Sequence, residues 1–219
     1  MIEILLNALV VFFVVIDPIG LVPIFIGLTM KFDDRTKRRI AIRGCLIAFA
    51  IIVFFAYFGE LVLNALSIEM PAFRIAGGAL LFWIAFEMLF EKRTERKAKS
   101  ADEARHETED DTDTDTEEEI RHIAVFPMAI PLMAGPGAIT TIMLMMDRYG
   151  DSLQGQATVI SASALVLIGS AVLFMASGWV QKALGQTLIL TVSRVLGIVL
   201  AALATQTVIS GFTAIYPPG

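Results

Sequence analysis

The chain reads as an all-α membrane protein of six transmembrane helices, arranged as two inverted three-helix repeats, with helices 1 and 4 interrupted at Pro/Gly motifs. Three observations predict this. The composition is 56% hydrophobic and only 18% charged, with a mean hydropathy of +0.73, whereas a soluble domain carries about a quarter charged residues. The charges gather in residues 31–43 and 91–121 and leave long stretches nearly free of them. Two oily stretches also hold helix breakers at corresponding places, "DPIG" from Asp17 and "GPGA" from Gly135.

Six apolar stretches follow one another: 2–30, 40–63, 71–90, 123–146, 157–180 and 188–212. At about 1.5 Å of rise per residue, each is long enough to cross a hydrocarbon core of roughly 30 Å. A soluble helical bundle would need a polar face recurring near every 3.6 residues, and a run such as "CLIAFAIIVFFAYF" (45–58) has none. The first stretch has no basic region before it and is too long for the core of a cleaved signal, so it reads as a retained helix. A lone cysteine, Cys45, can form neither an intramolecular disulfide nor a thiol metal cluster and reads as a packing residue.

The loops set the orientation. Lys31, Arg35, Lys37, Arg38, Arg39 and Arg43 flank the first loop, Lys92, Arg93, Arg96, Lys97, Lys99, Arg105 and Arg121 the third, and Lys182 lies between the fifth and sixth stretches, while Arg148 stands on the opposite side. Positive charge favours the cytoplasm, so both termini are expected outside, in the cell (inner) membrane. The third loop contains "ADEARHETEDDTDTDTEEE" (101–119), acidic and without large apolar residues, which reads as a solvated linker. His106 and His122 lie in or beside it and read as solvent-facing. The expected organisation is therefore 1–92 as the first repeat, 93–121 as an acidic disordered cytoplasmic linker, and 122–219 as the second repeat.

The repeat rests on paired motifs. "DPIG" matches "GPGA", and "FRIAGGAL" from Phe73 matches "SRVLGIVL" from Ser193; fifty-six residues separate Pro18 from Arg74 and fifty-eight separate Pro136 from Arg194. Three helices per half is odd, so the second copy enters from the other side of the membrane. Proline removes a backbone donor and glycine frees the backbone, so these motifs break helices. Broken backbone at that depth is tolerated where protein or a water-filled cavity satisfies it, and paired breaks in inverted repeats form transporter sites. A plain kink without ligand is the alternative.

Asp17 lies halfway along the first stretch, where an unpaired carboxylate is costly. It either caps the half-helix after Pro18 or holds a cation or a substrate ammonium. Arg74 and Arg194 are the supporting charges: each reaches the headgroups, pairs with Asp17, or bonds carbonyls near the breaks. Glu60, Glu69 and Glu87 read as interfacial. Thr140 and Thr141 read as lining a polar path, with Ser161, Ser163, Thr205, Gln206 and Thr207 as packing or lining residues. Catalytic motifs such as HExxH, GxSxG or a phosphate loop are missing, so no enzymatic activity, cofactor or metal is expected, and proton or sodium coupling is open.

The stretches "DPIGLVPIFIGLT" (17–29) and "PMAIPLMAGPGAIT" (127–140) resemble the two signature stretches of the MarC family of inner-membrane proteins. The resemblance spans all six apolar stretches and leaves out the acidic linker, whose length and acidity depart from the family pattern. It implies a six-helix protein of the LysE-like superfamily, whose members export or move amino acids and other small solutes, and some members of the resembled family are described as small neutral amino acid transporters. By position, the motif residues are Asp17, Pro18, Gly20 and Pro23 in the first half and Pro131, Gly135, Pro136 and Gly137 in the second. Together with Thr140 and Thr141 they form the expected mid-membrane substrate site, with carboxylate on the half-helix N-termini. The expected partners are a small amino acid and the lipid bilayer, with no nucleic acid; self-association, for instance through Gly77 and Gly78, is open. Efflux of another small metabolite and a non-transporting scaffold are the alternatives.

Overall fold

The structure, a computed structural model, describes residues 1–90, 95, 96, 98, 99 and 116–216. His106 and nearly all of the acidic stretch, with Lys92, Arg93, Lys97 and Arg105, lie outside the described residues. Within them every regular element is helical: α1 (Ile2–Ile16), α2 (Pro18–Leu28), α3 (Asp34–Ala65), α4 (Met70–Leu89), α5 (Thr116–Ile123), a π-helical segment (Ala124–Met133), α6 (Pro136–Tyr149), α7 (Leu153–Met175) and α8 (Ser177–Ile215). Five of the spans are long and apolar enough to cross a membrane, and a sixth is added if the bent pair Ile120–Met133 and Pro136–Tyr149 is taken as one. The fold is an integral membrane bundle.

Burial separates the centre of the bundle from its rim. Of the most apolar window of α1–α2, 67% is buried inside the protein, against 28% for α3, so the first span is the central one. α1 packs on α6 and α7, and α3 packs on α7 and the π segment. The outward side of α3 presents Leu46, Phe54, Tyr57, Phe58 and Leu61, a patch that needs hydrocarbon around it rather than water.

Local chemistry fixes the helix ends. The Asp33 carboxylate accepts from the Thr36 N–H at 3.0 Å and the Ser152 hydroxyl from the Gly155 N–H at 3.0 Å, each satisfying a donor that the first helical turn leaves open. Phe126 (φ −132°, ψ 123°) and Ile130 (φ −122°, ψ 124°) leave the helical region. Each precedes a proline, whose ring forces its predecessor into extended backbone. The chain then turns at Ala134 and Gly135 and enters α6 bent by 59°.

α4 and α8 run antiparallel in close contact. A Cβ on Gly78 would meet the Ala204 carbonyl at 2.9 Å and the Val208 N–H nitrogen at 2.9 Å, so only glycine lets the two backbones come this near. Gly77 is occupied too, by Thr140 of α6. Both glycines are buried within the chain, where they serve packing between its own helices.

Two expectations are corrected, and the placement of Lys182 holds. α5 takes up the end of the stretch read as a disordered linker (93–121) and runs two residues past it: Ile120 and Ile123 are buried and seat it, and the Glu117 carboxylate bridges Arg39 at 2.7 Å and Arg43 at 2.9 Å. Lys182 lies between the fifth and sixth spans (Leu153–Met175 and Thr187–Ile215), as expected, in the part of α8 that precedes its break at Gly185 (φ 67°). Glu87 is not interfacial: it is 6% exposed, and its Oε1 accepts from the Trp83 indole N–H at 3.1 Å and from Arg96 at 2.8 Å. Arg96 reaches it from beyond the end of α4, where the pairing offsets the cost of burying a carboxylate.

The Glu117 clamp yields a pH prediction. Its hydrogen bond and charge contact with Arg43, then the charge of Arg39, hold this carboxyl below the ordinary glutamate range. A carboxyl depressed in the folded state stabilises above its unfolded pKa and loses that contribution as pH falls through the folded value. Hydrogen-exchange protection of the α5 amides should therefore be full at neutral pH and fall as the pH drops below the ordinary glutamate range. Glu117→Gln should lack that acid transition.

Candidate functional site

The first helix break is centred on Asp17. α1 ends at Ile16, Asp17 adopts the left-handed conformation (φ 55°, ψ 62°), and α2 starts at Pro18. Proline at the first helical position needs no N–H partner, and aspartate is one of the few residues that enters the left-handed region at modest cost. The carboxylate is 4% exposed. Its Oδ1 accepts from the Gly20 N–H at 3.2 Å and from the Ser193 hydroxyl at 3.1 Å, tying the first span to α8. A Cβ on Gly20 would strike that carboxylate and meet Ser193 Oγ at 2.9 Å, which accounts for glycine there.

Of the two arginines expected to support Asp17, neither meets it through a described bond. Arg74 pairs with Asp147 at the end of α6, through Nε at 2.7 Å and Nη2 at 2.6 Å, both on Oδ2. Arg194 is exposed on α8, and its neighbour Ser193 makes the contact instead. The reason is helical phase: Ser193 is on the buried side of α8 and Arg194 is turned away from it. Pro18 is buried and Pro23 half-buried within α2; Pro131 lies in the π segment, Gly135 is half-buried and Pro136 exposed, and Gly137 packs against Ile84 of α4.

A cavity of about 250 Å³ opens between α1, α4, α6 and α8. Asn7, Arg74, Thr141, Asp147, Gln206, Thr207 and Ser210 supply its polar lining, with the exposed Arg148 at its rim, and Val11, Leu81 and Leu200 are among its apolar walls. Asn7 and Arg74 lie near the N-terminal ends of α1 and α4, Asp147 and Ser210 near the C-terminal ends of α6 and α8, so all four belong to one end of the bundle. Thr141 is 1% exposed and its hydroxyl oxygen has no hydrogen-bond partner. A neighbouring cavity of about 310 Å³ holds Glu60 and Asp151 and shares Asp147.

Of the residues singled out from the sequence as the site, Thr141 and Arg74 line the cavity of about 250 Å³, joined by Gln206 and Thr207; Asp17, the prolines and the glycines lie at or beside the breaks instead. Thr140 is buried against Gly77. Sequence reasoning missed Asp147 and Asn7. The fourth apolar stretch ends at Met146, one residue short of Asp147, and the signal that could have found it is the phase shared with Thr140 at i and i+7 on one helix.

Comparison with known proteins gives a consistent family. The profile described as "MarC family integral membrane protein" matches residues 2–216. A UPF0056 membrane protein of Aquifex aeolicus is 32% identical over 90% of this chain and 86% of its own length. YvbG of Bacillus subtilis is 29% identical over 99% of the chain and 98% of its own length, and YhcE of Escherichia coli 30% over 94% and 90%; both carry the same UPF0056 description. No solved structure matches the chain.

Proposed function

Because the chain belongs to the MarC family of integral membrane proteins, we propose that it is a secondary transporter of small neutral amino acids of the glycine and alanine class. One observation carries the reading: a polar cavity with both signs of charge is enclosed by helices from both halves of an otherwise apolar bundle. Polar and ionisable groups inside a membrane are costly and mark solute or ion pathways. At about 250 Å³ the cavity is below the roughly 300–1,000 Å³ of pockets for drug-sized ligands, which suits a small solute.

The inverted-repeat reading draws support from two features. The first span breaks at Asp17, and the fourth changes direction at Gly135. α4 and α8, the third helix of each half, pack antiparallel, with Gly78 against Ala204, Gly197 against Ala85 and Gly211 against Pro71. In this reading Asp17 is the junction that joins the two half-helices of the first span to α8, and rocking of one half against the other moves the cavity from side to side. Both termini face outward, so the polar end of the cavity faces outward as well.

The test is uptake of labelled glycine and alanine into liposomes holding the purified chain, with imposed proton and sodium gradients. Accumulation that follows one gradient is expected. No flux of either amino acid from folded protein overturns the reading, in favour of another small metabolite if a different solute is carried and of a scaffold if none is.

A further inference from the structure

We propose that the cavity between α1, α4, α6 and α8 binds its solute as a zwitterion, which opens the Arg74–Asp147 pair: carboxylate to Arg74, ammonium to Asp147, and Thr141 as the third contact. The inference rests on the transport reading for the class of small solute and names the site itself.

Thr141 is the first observation. Buried hydroxyls almost always find a partner, and four others in the bundle do: Thr29 donates to the Phe25 carbonyl, Ser163 to Ile160, Ser170 to Val166, and Ser193 to Asp17. Thr141, more deeply buried than Ser193, has none and lines the cavity. A hydroxyl left open in such a place is satisfied by what enters the cavity.

The ion pair is the second. Arg74 commits Nε and Nη2 to a single oxygen, Oδ2 of Asp147, so the guanidinium keeps further donors from its five and Oδ1 receives no bond from it. Both groups line the cavity, so the unused donors and the unused oxygen are a matched pair of opposite sign within one small space. The charge balance then selects the ligand. A lone anion that takes Arg74 strands Asp147, a lone cation that takes Asp147 strands Arg74, and stranding a half-buried charge is the costly step. A molecule with both charges satisfies both. Leu144, Met145 and Leu203 add apolar wall to Val11, Leu81 and Leu200, room for a short apolar side chain, and the further charge in the lining, Arg148, is exposed and keeps its hydration.

The test is equilibrium binding of labelled alanine to the purified full chain in detergent, competed with propionate, which lacks the ammonium, and ethylamine, which lacks the carboxylate. Alanine should bind, and each competitor should be at least about tenfold weaker. Thr141→Val should weaken alanine by roughly tenfold with the thermal unfolding midpoint little changed. Asp147→Asn should reverse the order, propionate now binding better than alanine, an inversion that a merely structural role would not produce. Should Asp147→Asn fail to fold, the electroneutral double variant Arg74→Gln/Asp147→Asn replaces it and should bind none of the three. No alanine binding by the wild type, an unchanged rank order in Asp147→Asn, undiminished affinity in Thr141→Val, or alanine binding retained by the double variant overturns the proposal. Binding without flux would leave the site standing and sink the transport reading. Flux untouched by these substitutions would do the reverse.

Discussion

Asp17→Val should leave little folded protein, while Asp17→Asn should stay within about 1 kcal/mol of the wild type. Valine is β-branched, and the left-handed conformation at φ 55° costs such a residue roughly 1–2 kcal/mol or more. It also strands the Gly20 N–H and the Ser193 hydroxyl, both buried, at about 1–3 kcal/mol each. The sum, of order 4 kcal/mol, is a large share of the roughly 5–15 kcal/mol by which folded domains are stable. Asparagine tolerates the left-handed region, keeps an oxygen for Gly20 and offers Ser193 a partner. Thermal unfolding in detergent checks the stability. Alanine uptake by Asp17→Asn should remain within a few-fold of the wild type, because Asp17 joins helices and does not line the cavity. Loss of uptake from a well-folded Asp17→Asn would give the carboxylate the charge-handling role that the sequence alone left open.

The second large effect is at Arg74. Arg74→Gln leaves the Asp147 carboxylate, whose side chain is only 15% exposed, without its cation. Removing one partner of a fully buried pair is worth about 3–5 kcal/mol, and the partial exposure here brings the expected loss to roughly 2 kcal/mol. Adding Asp147→Asn should restore most of that stability, since the double variant buries no lone charge. Transport should not return: with both charges gone, alanine uptake should stay at least about 100-fold down. Stability recovered without activity is the signature of a pair retained for its ligand rather than for the fold.

These two sites also show what the sequence made legible. The spans were readable because nothing but hydrocarbon explains runs such as "CLIAFAIIVFFAYF", and the motifs at Asp17 and Gly135 were readable because proline and glycine act on the backbone locally. Partners were not. Arg74 and Asp147 are seventy-three residues apart, and Asp147 lies just past the end of an apolar stretch, where an acid looks interfacial. Which of Ser193 and Arg194 faces Asp17 depends on the rotation of α8, and a one-residue change in phase swaps them. α5 was hidden for another reason: its acidic composition outweighed two isoleucines, Ile120 and Ile123, whose burial seats it. Glu87 looked interfacial because its position near the end of α4 gives no hint that Trp83 and Arg96 close over it.

The most direct measurement is made on Thr207→Cys, a cavity-lining position, in a Cys45→Ala background so that it holds the lone thiol of the chain. In liposomes of known orientation, the account predicts that a membrane-impermeant thiol reagent labels Thr207→Cys from the side that bears the chain termini, that alanine slows the labelling, and that the labelled protein no longer takes up alanine. Labelling indifferent to alanine, with uptake preserved after modification, would contradict it, because the solute would then cross the membrane by a path that does not pass between Arg74, Thr141 and Asp147.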